Sequence, residues 1–206
     1  MTRPPRSIPG VILAGGLATR LGGGDKTLLP LGEGTILGHV IARLRPQVGR
    51  IALNANGDPA RFAAYPLPVI ADSVAGFPGP LGGILAAMDW AAGQGAQSVV
   101  TVAGDTPFLP PDLVARLAAG LGRPACPVIA ATANGWHPTF GLWPVDLRDD
   151  LRAALAGGAR RVRLWARDYG ARQAMFDGGP HDPFFNINTA DDLALARKMC
   201  GPGVDR

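Results

Sequence analysis

Glycines and two cations lie close together near the start of this chain. The stretch Leu13-Ala14-Gly15-Gly16-Leu17-Ala18-Thr19-Arg20-Leu21-Gly22-Gly23-Gly24-Asp25-Lys26 carries five glycines, one arginine and one lysine. Without a Cβ the backbone can turn sharply and bring its N–H groups against an anion. Arg20 and Lys26 add full positive charges to those oriented amides. The chemistry this combination serves is the gripping of a polyphosphate. A plain surface turn is the competing reading of any glycine-rich loop. What separates the two is the coincidence of a strand end, the glycines, the arginine and the lysine. Two common phosphate motifs are excluded: the stretch has no Gly-Lys-Ser/Thr ending, and Gly15-Gly16 does not continue as Gly-x-Gly-x-x-Gly.

Carboxylates and amides follow at similar places. Asp105 comes just after the apolar run 98–103, at what should be the carboxyl edge of an open sheet, where ligands of α/β proteins bind. A hard cation such as Mg2+ needs only one or two carboxylates there if phosphates and water complete its shell. A turn cap before Thr106-Pro107 is the alternative for Asp105. Asp72 and Asn54 end two other strands and have Asx-type turns as their alternative. Asp25 either caps the loop or orients Lys26. Leu81, Gly82 and Gly83 either offer backbone amides to a base or ribose, or simply open a helix.

The elements that must position these groups are short β-branched runs alternating with Ala/Leu-rich segments, the pattern of βαβ units around a mostly parallel sheet. Strands are expected at 10–14, 50–54, 68–71 and 98–103, and helices at 36–44, 82–92 and 111–121. Beyond Gly122 the pattern is less regular. Strands at 128–132 and 139–143, a helix at 147–155 and a last helix at 191–199 with Thr189 as N-cap are expected. The tail 201–206 should be frayed. The expected fold class is α/β, a three-layer Rossmann-like single domain spanning residues 1–200, whose regular part at about 10–122 carries the phosphate-gripping features and whose less regular part is 123–199.

On these residues the chain resembles a known family. Leu-Ala-Gly-Gly, then Arg-x-Gly-Gly, then Asp25-Lys26 is similar to the opening of nucleotidyltransferases with the nucleotide-diphospho-sugar transferase fold, and specifically of the molybdenum cofactor guanylyltransferases. Asn54-Ala55-Asn56, Ala71-Asp72-Ser73, Phe77-Pro78-Gly79-Pro80-Leu81-Gly82-Gly83, Gly104-Asp105-Thr106-Pro107 and Phe184-Phe185-Asn186-Ile187-Asn188-Thr189 follow in the same order, so the likeness covers roughly residues 10 to 199. Leu21 stands where the family often has Met, and Gly104 where a small or thiol residue varies.

The resemblance implies transfer of GMP from GTP to the terminal phosphate of molybdopterin, releasing pyrophosphate. It makes Asp105 the ligand of Mg2+. It makes Leu13, Ala14, Gly15, Gly16, Lys26, Asn54, Asp72, Leu81, Gly82 and Asp105 nucleotide contacts, with Asp72 alternatively supporting the metal. Arg20, Lys26 and Asp105 carry the catalysis. Asn186 and Asn188, each able to donate and accept, suit the edge of the pterin acceptor. Cofactor-delivering proteins or acceptor molybdoenzymes are implied as partners. Because the opening motif is shared, a cytidylyl- or sugar-phosphate nucleotidyltransferase and a non-catalytic GTP-binding carrier remain alternatives. His137 as a general base is scarcely required, since a phosphate acceptor is already ionised near neutral pH. Arg160, Arg161 and Arg163 either meet the acceptor's phosphate or form a solvated basic turn.

Bulk properties fit this reading. With 206 residues, 47% hydrophobic and 17% charged, the chain can bury one sizeable core. Its formal charge of +4 comes from scattered basic residues and not a stripe, and no nucleic-acid module is present, so an anionic small ligand is expected in place of nucleic acid. Two cysteines, Cys126 and Cys200, lack zinc or redox spacing. No signal peptide or membrane span is read from the sequence, and a cytoplasmic location is expected.

Overall fold

The computed structural model describes residues 8–15, 25–74, 76, 79–122, 124–177 and 182–200. Four strands form the parallel half of a seven-stranded sheet: β1 (Gly10–Leu13), β4 (Ile51–Asn54), β5 (Val69–Ile70) and β6 (Ser98–Ala103). Between β1 and β4 come a two-stranded hairpin, β2 (Pro30–Leu31) and β3 (Gly34–Thr35), and helix α1 (Ile36–Leu44). Helix α2 (Pro80–Gly93) connects β5 to β6, and α3 (Leu113–Ala119) follows β6. The chain then adds β7 (Val128–Thr132), β8 (Gly135–Pro144), α4 (Arg148–Ala156), α5 (Val162–Asp168), β9 (Arg172–Met175) and α6 (Ala190–Met199). The sheet order is β5-β4-β1-β6-β8-β7-β9, with β8 alone antiparallel to its neighbours β6 and β7.

Strands read as continuous apolar runs because both faces of the sheet are covered. On one side α1 and α3 bury Leu37, Val40, Leu44, Leu113, Val114 and Leu117 against Ile12, Leu53, Val100 and Val102. On the other, α2, α4 and α5 pack Leu85, Met88, Leu151 and Trp165 on Val11, Ala52, Val99 and Trp143. Helix α1 starts where Thr35 accepts the Gly38 N–H at 3.0 Å, and α6 starts on a capping box formed by Thr189 and Asp192. A third cluster joins α6 to the hairpin through Leu31, Ile36, Ile187, Leu193 and Ala196.

The sheet, the three layers and the α1 boundaries agree with the sequence reading. Several elements differ from it. The helix expected at 111–121 is only Leu113–Ala119, because Pro110 and Pro111 precede it without N–H groups and Gly120 closes it. Strand β8 runs from Gly135 to Pro144, longer than 139–143, since it is zipped on both sides. Helix α5 and strand β9 were not expected at all. Arg160, Arg161 and Arg163 are exposed; Arg161 is the N-cap of α5 and Arg163 lies on its outer face, so the basic segment is a helix start and not a turn. The tail 201–206 lies outside the described residues. No described helix is long and apolar enough to cross a membrane.

Candidate active site

Strand β1 lies between β4 and β6, and from it the chain first builds outward through β4 and β5 before returning to β6 on the other flank. Where such a sheet reverses direction, the connections leave on opposite faces and a crevice opens at the carboxyl ends of the strands. A cleft of about 890 Å³ is found there. Its wall includes Leu13 and Gly15 after β1, Asn54 and Asn56 after β4, Asp72 after β5 and Asp105 after β6. Lys26, Thr139 and Asn186 also reach it.

One end of the cleft is built on charge. Lys26 begins a short 3-10 turn and is buried to 8% exposure, so its ammonium needs partners. Its Nζ lies 2.5 Å from Asp105 Oδ2 and donates to Asn188 Oδ1 at 2.8 Å. The Thr106 hydroxyl donates to Asn186 Oδ1, and the Ile187 N–H donates to the Asp105 carbonyl at 3.1 Å. Residues 186–188 are therefore strapped across the turn that presents Asp105. Asp192 holds the strap from behind: its carboxylate accepts the N–H groups of Asn188 and Thr189, bonds that lower its pKa, the one from Asn188 most. Gly104 lets the end of β6 come close to the end of β1, since a Cβ there would sit 3.1 Å from both Leu13 O and Thr27 Cγ2. Among the described residues the buried Thr27 hydroxyl, in the same wall, has no hydrogen-bond partner.

The other end is built on amides. Asp72 Oδ1 accepts from Asn54 Nδ2 at 2.9 Å and its Oδ2 from Asn56 Nδ2 at 3.0 Å, while the Asp72 N–H donates to Asn56 Oδ1 at 2.9 Å. Asn54 also donates to Ile70 O at 3.3 Å. This fixes both asparagines and leaves the carboxylate aimed with spare lone pairs. Helix α2 begins against them. Its N-cap Gly79 has φ of 122° and no side chain to cap the first N–H groups of the helix, and Gly79, Pro80 and Gly83 line the cleft.

Gly83 is tightly constrained: a Cβ there would sit 2.4 Å from Asn54 Oδ1 and 2.9 Å from Leu13 Cδ2. Gly83→Ala should therefore push the Asn54 amide off Asp72 and destabilise the fold by about 1–3 kcal/mol. Urea denaturation checks this, and wild-type stability would show that the Asn54 amide gives way without cost.

Residues 10–171 match the MobA-like NTP transferase domain. The chain belongs to the MobA-like NTP transferase family. Among its relatives, the molybdenum cofactor guanylyltransferase of Bradyrhizobium sp. (strain ORS 278) is 51% identical over 197 residues, 94% of this chain and 93% of its own. That of Rhodopseudomonas palustris (strain HaA2) is 52% identical over 203 residues, 97% of this chain and 94% of its own. A crystal structure from Archaeoglobus fulgidus, described as molybdopterin-guanine dinucleotide biosynthesis protein A, is similar in fold with a TM-score of 0.72 at 22% identity, covering 94% of this chain and 98% of that one.

Of the positions that the family resemblance singled out, Leu13, Gly15, Lys26, Asn54, Asp72, Asp105 and Asn186 line one cleft, and Asn188 reaches it through Lys26. Ala14 is buried behind the wall, its N–H donating to Asn54 O at 2.8 Å. Leu81 points into the core between α2 and the sheet, and Gly82 is buried beside it. What this segment turns toward the cleft is Gly79, Pro80 and Gly83. Gly16 and Arg20 lie outside the described residues. His137 is absent from the wall. It stacks on Phe184 at 4.3 Å, with Nε2 3.0 Å from the Thr132 hydroxyl. Burial lowers its pKa, Asp182 opposing in part, so the ring is neutral at physiological pH. Asn56 and Thr139 also line the cleft and Thr106 bonds Asn186 beside it. The sequence reading gave none of the three a role of its own, although Asn56 and Thr106 stand within segments that carry the family resemblance.

Proposed function

We propose that the protein transfers GMP from GTP to the terminal phosphate of molybdopterin, with Mg2+ as its metal, and releases pyrophosphate. The observation that carries this reading is the meeting of Lys26 with Asp105 on one side and Asn188 on the other, at the charged end of a cleft whose far end is lined by fixed amides. The names of the relatives, half identical over nearly the whole chain, supply the substrates.

The residues present fit a magnesium ion. Asp105 offers a partly exposed carboxylate at the cleft, its side chain 18% accessible, in a place where positive charge is already accommodated. Among the described residues no group of three or more His, Cys, Asp or Glu is gathered to cage a metal, so phosphates and water must supply most of the shell, which is how magnesium is ordinarily held. When bound, the ion offsets charge on the triphosphate.

In this reading Lys26, with Arg20 and the backbone amides after β1, orients the triphosphate, and Lys26 offsets charge on the departing pyrophosphate. Asn54, Asp72 and the first turn of α2 take the guanosine. Asn186 and Asn188 face the acceptor. An oxygen of the acceptor phosphate forms the new bond to the α-phosphorus as the bond from that phosphorus to the bridging oxygen breaks, its electron pair leaving with pyrophosphate. With a second phosphate pKa of about 6 the acceptor is mostly deprotonated at neutral pH, so neutral His137 has no proton to remove. The residues of 10–122 then serve the nucleotide and those of 123–199 the acceptor; delivery of molybdopterin and receipt of product by other proteins belong to the same reading.

The test is pyrophosphate release from GTP, CTP, ATP and UTP with molybdopterin, each with and without Mg2+. GTP should turn over at least about tenfold faster than the others. Preference for CTP would overturn the base assignment, and GTP binding without pyrophosphate release would make the protein a carrier.

A further inference from the structure

Arg61 is outside the wall of the cleft, yet it joins the two ends of it. It belongs to a 3-10 turn, Pro59–Phe62, between β4 and β5, capped where Asp58 Oδ1 accepts the Ala60 N–H at 2.9 Å. All three of its guanidinium nitrogens are used. Nε bonds Asp25 Oδ2, Nη1 donates to Asp58 O at 2.7 Å, and Nη2 donates to Asn56 O at 2.7 Å. The guanidinium carbon sits 4.6 Å above the centre of the Phe62 ring, itself buried to 1%. Gly57, with φ of 84°, keeps the approach clear: a Cβ there would come 3.3 Å from Nη1.

The two partners of Arg61 lead to different ends of the cleft. Asp25 is the residue before Lys26. Asn56 is joined to Asp72 by two hydrogen bonds. The ion pair is well shielded, with side-chain exposures of 28% and 11%, so solvent competes for it weakly. A fork that stacks on an aromatic ring and bonds along its length cannot be replaced by a lysine ammonium.

We infer that Arg61 is a positioning residue: it fixes the distance between the phosphate-binding and the nucleoside-binding ends, so that one GTP engages both. This rests on the proposed reading that GTP fills the cleft. A ligand that spans two subsites gains over its fragments only while their spacing matches it, because the second contact then forms at high effective concentration. Loosening the clamp removes that gain and leaves each subsite intact.

Arg61→Lys and Arg61→Gln, with Asp25→Asn, are titrated with GTP, guanosine and inorganic tripolyphosphate by calorimetry or NMR, and steady-state rates are measured alongside melting temperatures. Each variant should bind GTP about tenfold or more weakly, equivalent to about 1.4 kcal/mol, while guanosine and tripolyphosphate change by less than about threefold. The KM for GTP rises with kcat nearly kept, and Asp25→Asn combined with Arg61→Gln costs little more than either alone. Wild-type GTP affinity in a folded variant overturns the inference. So does an equal loss for all three ligands, which would make Arg61 a general support of the fold or a direct contact. A wild-type chain that binds no GTP overturns the nucleotide reading, and the clamp with it.

Discussion

Asp105→Asn should lower Mg2+-dependent pyrophosphate release by about 10³-fold or more while the protein stays folded. The substitution keeps size and one carbonyl acceptor, so the buried Lys26 retains both Asn188 and position 105 as partners. It removes the negative charge that faces Lys26 and with it the anionic oxygen that the proposed magnesium ion would use. Replacing a charged acceptor by a neutral one should cost about 1–3 kcal/mol of stability, a fall in Tm of several degrees and roughly under 12 °C at this chain length. The ratio of the two effects is what matters. A thousandfold loss in single-turnover rate is about 4 kcal/mol of activation free energy, and it should appear under conditions where circular dichroism shows the variant fully folded. Turnover within tenfold of the wild type would remove Asp105 from the reaction.

That Asp105 could be found from the sequence while Arg61 could not has a physical reason. Asp105, Asp72 and Asn54 each follow an apolar run, and in a parallel sheet with both faces covered such runs are legible as strands. Their ends then fall on one edge by topology alone. Arg61 has meaning only through Asp25, 36 residues away in sequence, and Lys26 meets Asn188 across 162 residues. No local pattern encodes such pairs. Gly83 looked like part of a helix start; its packing against the Asn54 amide shows only once β4 and α2 are side by side.

The elements divide along the same line. β1, β4, β6 and β7 are mostly apolar and almost wholly buried, and were legible, as was α1 with its apolar face at helical spacing. Strand β9, Arg172-Gln173-Ala174-Met175, is an edge strand with only Ala174 buried, so it has no hydrophobic run to betray it. Helix α5 hides its inward face of Val162, Trp165 and Ala166 among arginines. Strand β5 shrinks to Val69–Ile70 because Pro66 and Pro68 precede it and cannot donate to a ladder.

Asp72→Asn should separate binding from chemistry. Both carboxylate oxygens accept from asparagine amides, Oδ1 from Asn54 and Oδ2 from Asn56. An asparagine at position 72 must turn its own NH2 toward one of those donors, so one of the two hydrogen bonds becomes a repulsion and the pair of asparagines shifts. The amide end, which on the proposed reading takes the guanosine, then loses its negative charge and its fixed amides together, a loss of about 2–3 kcal/mol, or roughly 30- to 150-fold in the Kd for GTP. Lys26 and Asp105 are untouched by the change, so kcat at saturating GTP should stay within about threefold and the Mg2+ dependence should not move. Calorimetric titration with GTP and a full velocity curve decide the matter. If the deficit falls instead on kcat and on the magnesium concentration needed for half-maximal rate, Asp72 serves the metal, and the division of the cleft into a charged end and an amide end is wrong.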